Sequence, residues 1–312
     1  MFEIYPLATL ENFEEGAYLV ANPDIKAAVE SGAIKSSLEH FKIFGINEGR
    51  KLDLSFLKEF RELKEIKKKK IKPYLRDDLP YAETDQLYDF LSDELRDRFS
   101  IIDTSAVSSN GYDKDFIDVI NSNDLVLDCG AGSRQFYFEN VINFEIAKYP
   151  STDVLGVGEV LPFKDSTFDA VLSNSVLEHV KNPWLCASEI LRVLKRGGEL
   201  ICCVPFLQPL HGYPHHYYNM SAQGLRNLFG ENVSVIKHYV PASTLPIWSL
   251  SWFLNSWSSG LSGVTKEKFL QMKINELIAN PAQYLQEKFV SELGDDKNFE
   301  LASATVLKVR KK

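Results

Sequence analysis

The sequence predicts an α/β protein built on a parallel sheet, with a small helical module in front of it. Three observations predict this. From about residue 80, short apolar runs alternate with helical patterns, as β-α-β crossovers require. One of these runs, Leu125-Val126-Leu127, leads directly into a glycine loop. The first 54 residues carry helical spacing without any such alternation. The expected organisation is therefore a helical module at 1–54, a linker helix at 55–79 and the α/β domain at 80–312, interrupted by a helical insertion at 241–299.

Composition narrows the class. Of 312 residues, 45% are apolar and 25% charged, ordinary globular values that exclude a disordered or collagen-like chain. A formal charge of −8 argues against a broad nucleic-acid-binding face. The four cysteines, Cys129, Cys186, Cys202 and Cys203, show no CxxC spacing. They are expected as reduced thiols in a cytoplasmic protein. The N-terminus carries acids where a signal peptide would be basic and then apolar, so none is expected.

Within the module, Asn22-Pro23 starts one short helix, with Pro23 at a first helical position and Gly32 as its stop. Leu38, Phe41, Ile43 and Phe44 line a second that ends at Gly45. The linker helix spans 55–72, with Ser55 as cap and Phe56, Phe60 and Leu63 on one face. Its end sets seven cations against Glu62 and Glu65. Such a run reads as a solvated helix end, or as a contact for anionic lipid or an acidic glycan. Pro73 breaks it.

Strands follow at 125–127, 141–144, 154–157, 169–173 and 199–204. A helix from Pro183 to Leu194 precedes the last and closes at Lys195-Arg196-Gly197-Gly198. Alternation at 233–239 and 302–309 predicts two further strands. Between them, 241–264 has no charged residue and holds Trp248, Trp252 and Trp257. Two prolines, two glycines and seven serines make it a helical lid or an interfacial helix, not a span. Leu250, Phe253, Leu254, Trp257 and Leu261 recur at helical spacing as a stripe for burial.

The chemistry-bearing pattern begins with Asp128-Cys129-Gly130-Ala131-Gly132-Ser133. An acid and two glycines at a strand end let a ligand approach the backbone closely. Glu145 lies 17 residues after Asp128, where a carboxylate can accept both hydroxyls of a ribose. Then come Leu161-Pro162-Phe163, Phe168-Asp169-Ala170-Val171, Leu177-Glu178-His179-Val180 and Arg192-Val193-Leu194-Lys195-Arg196-Gly197-Gly198.

In that order, these pieces resemble a class I S-adenosylmethionine-dependent methyltransferase of the type-11 branch, over about residues 108–240. The resemblance implies a Rossmann-like sheet of seven mostly parallel strands with helices on both faces, the last strand antiparallel. It also implies S-adenosylmethionine as cofactor. Asp128, Gly130, Ala131 and Gly132 would cradle its methionine part and ribose. Glu145 would hold the ribose hydroxyls and Ile146 would pack on the adenine. Val157, Gly158 and Glu159 would border the adenine edge, and Asn174 would close the methionine end. Two departures stand out. Only eight residues separate Gly132 from Val141, leaving room for one or two helical turns. Val157 stands where the family often has an aspartate for the adenine amino group. The missing third glycine disfavours a dinucleotide site.

For the acceptor, His211, His215 and His216 fall together after the fifth strand. They suit loop packing, a base or substrate-orienting cluster led by His211, or a metal set made of all three; no metal ligand is assigned. His179 is a further catalytic candidate, or a cap of the following helix. Residues 17–52 look like a short helical module of bacterial surface-glycan enzymes, which implies a glycan pathway. The expected function is O-methylation of a sugar or glycan-related small acceptor. The alternatives are a lipid or quinone acceptor, with peripheral membrane contact, and a non-catalytic cofactor-binding scaffold.

Overall fold

A computed structural model describes residues 1–84, 86–101, 110–212 and 215–303. The N-terminal segment opens with strand β1 (Phe2–Glu3), then helices α1 (Glu15–Ala21), α2 (Pro23–Glu30) and α3 (Ser37–His40), the last continued by a π-turn at Phe41–Gly45. Pro23 occupies the start of α2, and Gly32 beyond its end has φ +74°. Ala17, Tyr18, Ile25, Phe41 and Leu52 form this module's core. Of the second helix's expected apolar face only Phe41 is buried; Leu38, Ile43 and Phe44 face solvent.

Helix α4 (Lys58–Ile71) forms within the stretch expected as a linker helix, but Ser55 does not cap it; Leu57 holds that position without a side-chain bond. Nor is its basic end simply solvated. Lys64 and Lys67 are 2% and 3% exposed. Lys64 Nζ donates to the carbonyls of Pro150 and Thr152 at 2.8 and 2.5 Å. Lys67 Nζ lies 2.6 Å from Asp153 Oδ2 and 3.8 Å from the centre of the Tyr137 ring.

The domain continues with β2 (Ala82–Glu83), β3 (Tyr88–Asp89), α5 (Asp93–Phe99), α6 (Lys114–Ser122), β4 (Val126–Cys129), β5 (Phe136–Tyr137), β6 (Val141–Glu145), β7 (Val154–Leu155), β8 (Phe168–Asn174), α7 (Pro183–Val193), β9 (Leu194–Cys203) and α8 (Ala222–Phe229). Seven strands make one sheet in the order β2-β3-β7-β6-β4-β8-β9, parallel except for the β2–β3 pair. The fold is thus a Rossmann-like α/β sheet. Strands β4 and β6 are buried along their whole length, as expected where helices cover both faces of a parallel sheet.

Seven is reached differently from the expectation. The antiparallel member is β2, contributed before the glycine loop. Residues 233–239 form no strand, with Val235 and Ile236 exposed; alternation alone lacks an edge to pair with. Most of the expected strand at 302–309 lies outside the described residues. The turn placed at Lys195–Gly198 is part of β9, where a Cβ on Gly198 would fall 2.7 Å from the Asp169 carbonyl. No helix forms between Gly132 and Val141. Strand β5 runs there instead and pairs with β1, while Ile4, Phe60 and Tyr137 pack together. The N-terminal segment and α4 therefore cover the ground that a crossover helix would occupy.

The insertion has its own small core of Leu261, Phe269 and Leu293, packed by Trp257 and Phe289. Its long helix, α9 (Pro246–Ser259), leaves Leu250 exposed, against the expected stripe. Among the described residues no helix is long and apolar enough to cross a membrane. The four cysteines are free thiols.

Candidate active site

In an open parallel sheet, ligands bind beyond the carboxyl ends of the strands where the strand order reverses. Here that point is β4, flanked by β6 on one side and β8 on the other. A cleft opens there, and Gly130, Ala131, Glu145, Ile146, Gly158, Glu159 and Asn174 all line it. Gly130 has φ +86°, and a Cβ on it would meet Val176 Cγ2 at 2.4 Å. The loop therefore lies flush against Val176 and presents backbone to the cleft, a geometry reserved for glycine. Ser175, just past β8, also has a left-handed φ of 58°, a strained turn beside the same cleft.

Glu145 is buried. Its Oε2 accepts the Gly132 N–H at 2.6 Å and its Oε1 the Ile146 N–H at 2.7 Å. Burial raises its carboxyl above the usual range, and the backbone donors oppose that. Glu159 accepts the Asn182 N–H at 3.2 Å and is likewise raised by burial. Asn174 reaches the Gly111 carbonyl at 3.5 Å.

Three expected cofactor residues do not line the cleft: Asp128, Gly132 and Val157. Val157 is buried against Leu87, Leu91 and Leu155. Gly132 gives its N–H to Glu145. Asp128 is buried beneath the loop, where Oδ2 takes bonds from Arg134 Nε and Nη2 at 2.8 and 2.7 Å and from the Tyr112 hydroxyl. Arg134 also stacks over Tyr112, 4.1 Å from the ring centre, and itself lines the cleft. This Asp128–Arg134–Tyr112 network was not anticipated. Its only sequence signal is a basic residue directly after the glycine loop.

The histidines divide into two groups. His215 lines the cleft and bonds the Ser100 carbonyl through Nε2 at 2.8 Å. His179, His211 and His216 pack ring against ring, with centroids 4.3–5.6 Å apart; of these only His179 lines the cleft. The set His211, His215 and His216 is therefore not brought together. His179 Nδ1 lies 2.6 Å from the His215 carbonyl, and burial pushes this imidazole down to about 4. Beside it, the Glu178 side chain is wholly buried, and burial pushes its carboxyl up to about 8. The insertion reaches this group through Trp252, whose ring packs tilted against His211 with centroids 5.0 Å apart.

Residues 127–202 match the family model described as a methyltransferase domain. Among similar proteins, an uncharacterized protein of Methanocaldococcus jannaschii is 52% identical over 48 residues, 15% of this chain and 23% of its own length. A second protein of that organism is 42% identical over 91 residues, 26% of this chain and 40% of its own length. An uncharacterized methyltransferase of Mycobacterium tuberculosis is 44% identical over 52 residues, 17% of this chain and 20% of its own length. A solved SAM-dependent methyltransferase from Thermotoga maritima shares 30% identity over 26% of this chain and 44% of that one, with a TM-score of 0.23. The chain thus spans 20–40% of the length of these curated relatives.

Proposed function

We propose that this chain transfers a methyl group from S-adenosylmethionine to a hydroxyl of a sugar or other small polar acceptor. The observation that carries the reading is the cleft at β4, where the Gly130 loop and the Glu145 carboxylate meet inside the stretch matched by the methyltransferase domain. The residues present suit an adenosyl group. Glu145 offers a carboxylate for paired hydroxyls, Ile146 and Phe99 offer apolar surface for a flat ring, and Glu159 offers an acceptor for an amino group where Val157 cannot. When bound, the cofactor supplies a methyl carbon on a positively charged sulfur.

The chain's own part is to hold, orient and deprotonate. Asn174 and Ala131 border the end of the cleft at which the acceptor would meet the cofactor. His215 is the histidine placed to take the acceptor's proton. A carbonyl only accepts, so the bond to Ser100 puts the ring proton on Nε2 and leaves Nδ1 with its lone pair. Most of the rate in such a displacement comes from orientation. The N-terminal resemblance to glycan-enzyme modules supports a sugar as acceptor. The exposed apolar side chains Ile247, Trp248 and Leu250 on α9, on the helix whose Trp252 touches His211, favour a lipid or quinone acceptor as a second reading.

Calorimetry with S-adenosylmethionine tests the first step, and transfer of labelled methyl to sugar and to detergent-dispersed lipid acceptors tests the second. Wild type should bind, and Glu145→Ala should bind roughly tenfold more weakly, the loss of about one charge-assisted bond. Absence of heat with wild type would overturn the reading. Heat without transfer to either acceptor class would leave a cofactor-binding scaffold.

A further inference from the structure

We propose that Glu178, His179 and His211 form a binding site for a divalent first-row transition ion, zinc foremost, beside the cleft. One ligand atom from each of the three lies within 4.8 Å of the others, and Glu178 Oε1 stands 3.7 Å from His179 Nε2. The Glu178 side chain is wholly buried, and neither of its oxygens has a hydrogen-bond partner among the described residues. A buried carboxyl is paired, bonded, coordinated or held protonated, and a bound cation would displace that proton. This one accepts no hydrogen bond among the described residues, while His179 Nε2 stands 3.7 Å from its Oε1 and His211 offers a further ligand atom within 4.8 Å.

The tautomers agree. His179 Nδ1 faces the His215 carbonyl at 2.6 Å, and His211 Nδ1 faces the Pro209 carbonyl at 2.8 Å. Each carbonyl can only accept, so each ring carries its proton on Nδ1 and keeps the Nε2 lone pair for a ligand. A backbone carbonyl on the far nitrogen is the usual support of a metal-bound histidine. His216 is arranged otherwise. Its Nδ1 accepts the His211 N–H at 3.0 Å and its Nε2 gives its proton to Asn219 Oδ1 at 2.9 Å. With both nitrogens engaged, His216 is a positioning residue that holds the His211 segment. Gly212 fixes the other ring: its φ is +83°, and a Cβ there would fall 2.3 Å from His179 Cε1.

Two imidazoles and a carboxylate are the ligand set of three-ligand zinc sites, which leave a fourth position to water or a substrate oxygen. His179 is shared with the cleft, so the ion would sit beside the acceptor's end. The site does not depend on methyl transfer, and its test is read separately from cofactor binding.

The untagged full-length chain, stripped with a chelator, is titrated with Co²⁺ and then with Zn²⁺. Expected are the visible absorption of four-coordinate cobalt, its displacement by zinc, and one ion per chain by calorimetry. Glu178→Gln and His211→Ala should each remove the cobalt spectrum and weaken zinc by roughly 100-fold or more, beyond what loss of an outer-shell partner does. His238→Ala, at a surface histidine bonded to Arg226, should bind as wild type does. Glu178→Gln keeps the side chain's shape, and circular dichroism confirms its folding. Wild type without the cobalt spectrum, or a folded Glu178→Gln that binds zinc as wild type does, would overturn the site.

Discussion

Helices α4 and α9 have compositions and surroundings that point in opposite directions. In α4, where lysines crowd the last turns, Lys64 and Lys67 are buried. Helix α9 has no charged residue, yet leaves Ile247 62% and Trp248 59% exposed. The difference lies in what each helix meets. Helix α4 lies against a stretch, 137–153, that presents carbonyls, a carboxylate and an aromatic ring, so its ammonium groups find partners and their stems cover apolar surface. Helix α9 has the insertion's small core on one side only, and that core is filled by Trp257 and its neighbours. Burial follows the partner available and not the side chain's own polarity.

The comparison breaks first at Lys67. Lys67→Met removes the cation bonded to Asp153 and leaves that buried carboxylate its bonds from Tyr137 and the Asn143 N–H, with Lys64 nearby. A stability loss of about 3–5 kcal/mol is expected, as for a buried pair with one partner deleted, read from urea unfolding. Lys67→Met with Asp153→Asn should recover part of it, since both charges are then gone. A single variant as stable as wild type would show that α4 is not docked on the domain.

How far this was legible in the sequence follows the same logic. Strands β4, β6 and β8 were visible because their apolar runs end at Asp128, Glu145 and Asn174, and those ends gather by topology around one cleft. The role of α4 was not, because Asp153, Pro150 and Thr152 lie far along the chain and nothing local marks Lys64 or Lys67 as different from Lys69. The short path from Gly132 to Val141 was visible as room for only one or two helical turns, but that no helix forms there and that β1, β5 and α4 take its place is a long-range fact. Alternation at 233–239 misled because a strand needs a neighbour as well as a pattern. At the histidines, the motif around Leu177 drew attention to His179, while Glu178, the carboxylate beside it, passed as part of the same run.

Lys64 sharpens the comparison through pH. Burial pushes its ammonium down to about 8 from 10.5, with Asp153 opposing and Lys67 adding to the shift. A lysine whose folded value is depressed binds its proton more weakly when folded, so the unfolded chain carries more protons between about 8 and 10.5. Stability should therefore rise with pH across that window. The difference between wild type and Lys64→Met, each unfolded in urea at pH 8 and pH 10, should change by about 2 kcal/mol, the linkage of roughly 1.4 kcal/mol per unit over most of the window. An unchanged difference would mean that Lys64 reaches water in the folded chain.

The smallest effect belongs to α9. Ile247→Ser with Trp248→Ser removes two large apolar side chains, a change that costs several kcal/mol inside a core. Both are largely exposed, and the Trp248 ring is tied down by the bond from its Nε1 to the Ala242 carbonyl at 2.9 Å. Surface changes of this kind stay within about 0.5 kcal/mol, so the unfolding midpoint should barely move. A loss of more than about 2 kcal/mol, the range of buried substitutions, would mean that this face is covered within the folded chain, and the contrast between buried lysines on α4 and exposed apolar side chains on α9 would fail.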